Sequence, residues 1–180
     1  MRVVAGTLRG RTLRAPAGRA VRPTSDRVRE ALFSILEADV GVAGARVLDL
    51  FAGSGALAIE ALSRGAQSAT LVDVSAQAIR AIEANLAGLG AEAEVVRRPA
   101  AAFLASASAA ARQYDLVFLD PPYRLASAVG SELQGVLSSV LAPAARIVAE
   151  SDRRVPLELA LPLLTERRYG DTLIRIHASR

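Results

Sequence analysis

The sequence of 180 residues contains no cysteine, no lysine and no tryptophan, and its only histidine is His177. The absence of cysteine excludes disulfide bonds and Cys/His zinc sites, and nothing points to an oxidising compartment. No apolar run approaches the ~20 residues that span a membrane, and the first residues lack the apolar core of a secretory signal. We therefore expect a cytoplasmic protein with neither a membrane nor a metal ion as a partner.

The basic residues are unevenly distributed. All 22 are arginine, and eight of them lie in the first 29 positions, where the only acidic residue is Asp26. A positive charge concentrated at one end is typical of a protein that binds a polyanion, because guanidinium groups match phosphate oxygens. The alternative is that a compositional bias has placed some of these arginines at solvated positions. The residues that we expect to contact nucleic-acid phosphates are Arg9, Arg11, Arg14 and Arg22.

The chain divides into a short arm and an alternation of strands and helices. Short apolar segments separated by glycine and proline predict a β-hairpin arm over 1–22, which extends a single domain over 23–180. Predicted strands are 46–51, 68–74, 93–97, 114–120, 146–151, 163–169 and 172–178. Predicted helices are 24–39, capped by Thr24 or Ser25, and 55–64, 76–88 and 125–141.

This alternation predicts the fold class. Strands that alternate with helices are joined by right-handed parallel crossovers, and their continuous apolar runs indicate burial on both faces. We expect an α/β, Rossmann-like doubly wound sheet of seven mostly parallel strands. Its C-terminus should be an antiparallel hairpin that turns at Gly170 and Asp171.

A glycine loop follows the first of these strands in the segment VLDLFAGSGALAIEAL. Gly53 and Gly55 let the backbone approach a ligand closely, and the N–H groups of the helix start point at that ligand. Asp73 ends the second strand at the same edge of the sheet, where a carboxylate can accept hydrogen bonds from ribose hydroxyls. By itself, this pattern also matches a dinucleotide-binding fingerprint.

Asp49, near the end of the first strand, argues against a dinucleotide. Its charge would lie beside a pyrophosphate, whereas it favours a cationic or ammonium-bearing ligand. S-adenosylmethionine has ribose hydroxyls for Asp73, an amino-acid end for the glycine loop, and a sulfonium methyl group. Alternatively, these acids only cap loops, and Glu60 is expected on a helix face rather than in the site. The same cofactor site should be lined by Phe51, Ser54 and Val74.

The fourth strand ends in DLVFLDPPY, with an acid, two prolines and an aromatic ring. An exocyclic amine of guanine or adenine is a poor nucleophile, because its lone pair is conjugated into the ring. The Asp120 carboxylate and the Pro121 carbonyl can accept its two N–H groups and direct the lone pair at a methyl donor. Pro121 and Pro122 fix the direction of these acceptors, and Tyr123 offers a face for stacking the base. The segment therefore predicts a catalytic amine clamp, with a plain proline turn as the alternative.

Three segments together resemble a known family: TSDRVREALFSIL, LDLFAGSGALAIEALSRGA and LVFLDPPY, in this order and spacing. They are similar to the bacterial small-subunit rRNA guanine-N2 methyltransferases of the methyltransferase D type. The resemblance implies a class I S-adenosylmethionine-dependent fold and a 16S rRNA or 30S-subunit substrate, and we expect a monomer. It also implies that Thr24, Asp26 and Arg27 close over the cofactor or the target.

The region after the third strand departs from the usual pattern. Many methyltransferases of this fold have an acidic or amide residue there to hold the adenine amine, whereas this chain has Pro99 and Ala100 in VVRRPAAAFL. We expect the backbone of Ala100 to serve instead, with Phe103 as an apolar wall.

Two other functions compete with an rRNA guanine-N2 methyltransferase. One is a DNA adenine-N6 methyltransferase, which usually needs a sequence-reading domain for which the chain has no room. The other is a non-catalytic RNA-binding ribosome assembly factor, which has no use for an amine clamp. Methylation at pyrimidine C5 is excluded, because that reaction proceeds through a cysteine adduct.

Overall fold

The computed structural model describes residues 1–16, 25–122 and 126–180. Among these residues, five helices and seven strands follow one another along the chain. The helices are α1 (Asp26–Asp39), α2 (Ala56–Ser63), α3 (Ala76–Leu89), α4 (Ala100–Ala109) and α5 (Ala126–Leu137). The strands are β1 (Arg46–Asp49), β2 (Ser68–Asp73), β3 (Glu94–Arg97), β4 (Tyr114–Leu119), β5 (Leu141–Asp152), β6 (Leu163–Tyr169) and β7 (Thr172–Ala178).

The strands form one sheet in the order β3-β2-β1-β4-β5-β7-β6. Strands β1 to β5 are parallel to one another, whereas β7 runs antiparallel to both β5 and β6. The predicted α/β sheet with an antiparallel C-terminal hairpin is therefore confirmed. The chain reverses its direction of winding between β1 and β4, and in such sheets ligands bind beyond the carboxyl ends of the strands at this point.

Helices cover both faces of the sheet, because neighbouring strand residues alternate between two apolar cores. Val47 and Phe118 face the core that contains residues of α1, α2, α3 and the N-terminal arm. Leu48 and Val117 face the other core, which contains residues of α4 and α5. The sheet is buried on both faces, which explains the continuous apolar runs in its sequence.

The N-terminal arm packs into the first of these cores. Arg2 and Thr12 form an antiparallel bridge, and Val3 and Leu13 are buried. Gly6 lies at the hairpin end of the arm with a φ of +80°, and a Cβ atom there would lie 1.8 Å from the carbonyl oxygen of Ser63. A residue with a side chain at position 6 would therefore displace the arm from α2.

Three elements differ from the prediction by four residues or more. Helix α4 was not predicted, because its sequence AAAFLASASA is mostly alanine and shows no polar face that would mark a helical period. Strand β5 begins at Leu141 rather than 146, and α5 ends at Leu137, before a short 3₁₀ turn at Ser138–Val140. The register between β4 and β5 is irregular beside Pro143, whose missing N–H group suits such an irregularity.

In the described parts of the chain, none of the helices combines the length and the apolar character that crossing a membrane would require.

Candidate cofactor and active site

Four carboxyl groups converge at the carboxyl edge of the sheet. Asp49 and Asp73 end β1 and β2, Asp120 follows β4, and Glu150 lies near the end of β5. Asp49 of β1 is paired with Phe118 of β4, which precedes Asp120 by two residues. Leu119 of β4 is paired with Ala149 of β5, so the next residues on these two strands, Asp120 and Glu150, are neighbours. Asp49, Asp73 and Glu150 are buried, and Asp120 is partly exposed. The strand order thus brings together three acids that the sequence predicted and one that it did not.

The glycine loop connects β1 to α2 at this edge. Gly53 and Gly55 have φ angles of +57° and +79°, a region that favours glycine. A Cβ atom on Gly55 would lie 2.9 Å from Cδ2 of Leu71, so the loop also needs glycine there for close packing. Gly55 caps α2 without a side-chain acceptor. The N-terminus of this helix therefore presents backbone N–H groups at the loop, as the sequence predicted.

Asp73 ties this loop to the second strand. Its Oδ2 accepts a hydrogen bond from the Gly53 N–H at 3.0 Å, and its Oδ1 accepts one from the Ser75 N–H at 2.8 Å. The carboxylate thus has the loop-capping role that was the alternative interpretation. Each carboxylate oxygen can accept a further hydrogen bond, so a ribose contact by Asp73 stays a prediction.

Burial and like charges dominate the electrostatics of this edge. Burial raises the pKa of Asp49 to about 7, backbone N–H groups of Ala58 and Phe51 oppose that rise, and the charge of Asp73 adds to it. Burial also raises the pKa of Asp120 well above its ordinary value, and the charges of Glu150 and Asp49 raise it further. A cation bound here would stabilise the ionised forms of these acids.

The other predicted cofactor residues lie around this edge. Ser54 and Ala100 are partly buried, and Val74 is 60% exposed just after β2. Phe51 packs against the core under α4 and α5, and Phe103 is part of that core. Arg27 is exposed in the first turn of α1.

The clamp segment is described only in part. Pro121 is buried and Pro122 is partly buried next to Asp120. Thr24, Arg22 and Tyr123, to which the sequence assigned roles, lie outside the described residues.

The arginines of the arm lie at different distances from the glycine loop. Arg9, Arg11 and Arg14 are all exposed. The tip of the arm, next to Arg9, lies at the C-terminus of α2, where the Thr7 N–H donates to the Ser63 carbonyl at 2.8 Å. Since α2 starts at the glycine loop and has 8 residues, the tip lies about 12 Å along the helix from that loop. Arg9 therefore lies towards the sheet edge opposite Asp120.

Arg14, in contrast, lies close to the glycine loop through Asn85. The buried Asn85 side chain accepts the Arg14 N–H at 2.8 Å and donates to the carbonyl oxygens of Arg14 and Ser54, at 3.0 and 2.9 Å. One carboxamide of α3 thus joins the arm to the loop.

Glu60 lies on a face of α2 that is buried under the N-terminal arm. Its carboxylate accepts the N–H groups of Val4 and Ala5, at 2.7 and 2.9 Å, and it pairs with Nε of Arg64 at 2.9 Å. Glu60 therefore fixes the arm to α2.

Sequence reasoning missed Asn85, Glu150 and the anchoring role of Glu60. Asn85 has a detectable signal, since it is a polar residue within the buried stripe of α3. Glu150 has a detectable signal too, because it lies near the end of a predicted strand, at the carboxyl edge of the sheet. In the described part of the chain, no group of three or more His, Cys, Asp or Glu side chains is suited to hold a metal ion.

Curated relatives of the chain are ribosomal RNA methyltransferases. Ribosomal RNA small subunit methyltransferase D of Escherichia coli K12 is 46% identical over 125 residues, which are 69% of this chain and 61% of that protein. The enzyme of the same name from Haemophilus influenzae is 34% identical over 160 residues, 87% of this chain and 81% of that protein.

Solved structures share the fold. A hypothetical protein of Thermus thermophilus is 33% identical, with a TM-score of 0.86 over 99% of each chain. A 16S rRNA N2 methyltransferase of the same species, in complex with AdoMet and guanosine, is 22% identical, with a TM-score of 0.70 over 91% of this chain and 44% of that one. The latter likeness extends to the fold alone.

The model of the family described as "Conserved hypothetical protein 95" matches residues 1–178. This match and the relatives named methyltransferase D confirm the resemblance seen in the sequence, and the chain belongs to this family.

Proposed function

We propose that the chain transfers the methyl group of S-adenosylmethionine to the exocyclic N2 amine of a guanine in 16S rRNA of the small ribosomal subunit. The observation that carries this proposal is the crowding of buried carboxyl groups around Asp120, directly beside the glycine loop. The names of the relatives at 46% and 34% identity support an rRNA substrate. Such a substrate would place the enzyme in the cytoplasm, where we propose that it acts as a monomer.

The residues at the carboxyl edge fit this cofactor. The pKa of Asp49, raised to about 7 by burial, shows that the edge holds negative charge at a cost. A sulfonium and an ammonium group would lower that cost, whereas a pyrophosphate would increase it. When bound, S-adenosylmethionine supplies an electrophilic methyl group on positively charged sulfur.

Each protein group then has a defined task. Gly53 and Gly55 let the backbone approach the amino-acid end of the cofactor, and Asp49 attracts its ammonium group. Asp73 holds the loop through Gly53 and accepts from a ribose hydroxyl with its remaining lone pairs. The backbone of Ala100, at the start of α4, would hold the adenine.

Asp120 and Pro121 act on the base. Their oxygens accept the two N–H groups of the amine, so that its lone pair points at the methyl group. With S-adenosylmethionine bound, the lone pair would form the new N–C bond while the C–S electron pair stays on sulfur, and the methylated nitrogen would carry one extra proton. Asp120 accepts this proton, since a carboxylate with a raised pKa is a stronger base than an ordinary one.

The experiment supplies the protein with labelled S-adenosylmethionine and, separately, with naked 16S rRNA, unmodified 30S subunits and DNA. After digestion, we expect the label in N2-methylguanosine from one or both ribosomal substrates. Label in N6-methyladenine from DNA would establish a DNA adenine enzyme. RNA binding without any transfer would identify an assembly factor.

A further inference from the structure

The arginines of the described chain divide into two groups by their partners. Beyond β4, most of them pair with carboxylates: Arg146 with Asp39, Arg153 and Arg154 with Asp171, and Arg168 and Arg175 with Glu166. Within the described ranges, in contrast, Arg11, Arg14, Arg80 and Arg97 are exposed and form no ion pair. A surface on which guanidinium groups gather without acids keeps its positive charge for a partner outside the chain.

Two of these unpaired arginines lie at the ends of one ridge of α3. Arg80, Ala84 and Gly88 are exposed and spaced by four residues, so their positions form a single row along the helix surface. The Arg11 guanidinium donates to the Gly88 carbonyl oxygen at 2.7 Å. Arg80 precedes Gly88 by eight residues, which is about 12 Å along the helix axis. The ridge thus has an arginine at each end and a small side chain between them.

Arg14 lies beside the middle of this ridge. Its backbone is bound by the carboxamide of Asn85, which also binds the glycine loop at Ser54. At 3.6 residues per turn, Asn85 lies on the side of the ridge that faces the arm. Glu83, the acid of α3, lies on the opposite side of the ridge. The unpaired arginines and the acid of this helix are therefore on different sides of it.

Arg97 extends the same surface to the carboxyl edge of the sheet. It ends β3, and Val95, two residues before it, packs against the core that contains α3. Because side chains alternate along a strand, Arg97 lies on the α3 side as well. Its Nε donates at 3.3 Å to the carbonyl oxygen of Val74, which directly precedes Ser75, the N-cap of α3. The four arginines thus run from the arm along α3 to the edge where we propose that the cofactor binds.

We propose that Arg80 and Arg97, together with Arg11 and Arg14 of the arm, form a phosphate track that binds the backbone of the RNA substrate. This inference rests on the proposed function, and it adds two residues outside the arm to the expected RNA contacts. Guanidinium forks match phosphate oxygens, and phosphate contacts position a nucleic acid without reading its sequence. The phosphate track would hold the rRNA backbone while the target base enters the site at Asp120.

The first test measures the salt dependence of RNA binding. Naked 16S rRNA and unmodified 30S subunits are titrated with the wild-type protein and with the double variant Arg80→Ala, Arg97→Ala. The slope of log K against log salt should decrease by roughly 0.7 for each lost phosphate contact, and therefore by roughly 1.4 in the double variant. Both side chains are exposed, so the midpoint of urea denaturation should stay at its wild-type value.

The matched control is Arg98→Ala. Arg98 directly follows Arg97 and is also exposed, but its Nη1 donates at 3.2 Å to Oγ of Ser106 on α4, on the other face of the sheet. The control variant should therefore keep the wild-type salt slope.

A second test locates the RNA on the protein surface. The chain has no cysteine, so Ala84→Cys introduces a single thiol on the ridge of α3. Saturating 16S rRNA should slow alkylation of this thiol by a maleimide about tenfold, because the bound RNA restricts access to it. Ala105→Cys places a thiol at an exposed position of α4, where RNA should leave the alkylation rate unchanged.

The inference is wrong if the double variant keeps the wild-type salt slope, or if Arg98→Ala lowers the slope as much. It is also wrong if bound RNA leaves the thiol at position 84 as reactive as before. A wild-type protein that binds neither ribosomal substrate would refute the inference and the proposed function together. Binding along the phosphate track without methyl transfer to guanine would refute the proposed function and leave the inference standing.

Discussion

Two carboxylates of this protein have opposite surroundings. Glu60, buried in α2, accepts two backbone N–H groups of the arm and a guanidinium. Asp120, at the end of β4, is close to two further acids, and its pKa is raised well above the ordinary value. A buried charge that is fully paired fixes structure, whereas a carboxyl group crowded by like charges is a candidate for ligand binding. The comparison separates the region where the arm is anchored on α2 from the carboxyl edge of the sheet, where we propose the reaction takes place.

The largest effect should come from removing the reactive acid. Asp120→Ala loses both the acceptor and the proton sink, so single-turnover methyl transfer should fall by more than about 10³-fold, while the cofactor still binds. Asp120→Asn should be milder, since its amide oxygen still accepts one N–H group. Transfer at the wild-type rate in Asp120→Ala, or a loss explained by lost cofactor binding, would show that the segment is only a proline turn.

Removing the paired acid should change stability instead. Glu60→Ala leaves Arg64 and two arm N–H groups without their buried partner, and we expect the free energy of unfolding to fall by about 3–5 kcal/mol in urea denaturation. Glu37 contacts the same Arg64 with a side chain that is 48% exposed. Glu37→Ala should therefore cost less than about 1 kcal/mol. Equal losses in the two variants would contradict the anchoring role.

The raised pKa of Asp49 predicts how cofactor affinity and stability depend on pH at the carboxyl edge of the sheet. With its pKa raised to about 7, Asp49 is protonated below that pH, so the affinity for S-adenosylmethionine should rise between about pH 5 and 7 and then level off. Because the unfolded state loses this proton near 3.8, stability should fall as the pH rises from about 4 to 7. For Asp49→Asn, calorimetric titration with S-adenosylmethionine should show a weaker dependence of affinity on pH. Denaturation of the same variant should show a weaker dependence of stability on pH, and some dependence remains because Asp120 still titrates.

The smallest effect is expected at the arm. Replacing Arg9, Arg11 and Arg14 with alanine should reduce the salt dependence of RNA binding by roughly 0.7 per lost phosphate contact, without changing cofactor affinity. The control is Arg167→Ala on the edge strand β6, at another exposed arginine. A salt slope that does not change in the triple variant would assign these arginines to solubility.

Local patterns in the sequence predicted where several candidate residues lie. Gly53, Gly55 and Asp73 meet at one edge of the sheet, as expected, because strand–loop–helix spacing is encoded within a short segment. Their binding roles stay predictions. The surroundings of Glu150 and Glu60 were not predicted, because their neighbours come from distant parts of the chain. Glu150 lies next to Asp120 across the sheet, and Glu60 binds Val4, which is 56 residues away in sequence. Helix α4 was not predicted, because its many alanines do not distinguish an apolar face from a polar one.

The carboxamide of Asn85 couples the N-terminal arm to the glycine loop. It holds the arm at Arg14 and the glycine loop at Ser54 through hydrogen bonds of 2.8 to 3.0 Å. If RNA on the arm shifts the backbone of Arg14, the loop must move or lose a bond, and cofactor affinity changes. Thermodynamic reciprocity then requires the cofactor to change RNA affinity by the same factor. A single side chain thus suffices to couple the binding of the two substrates by the same free energy, whichever of them binds first.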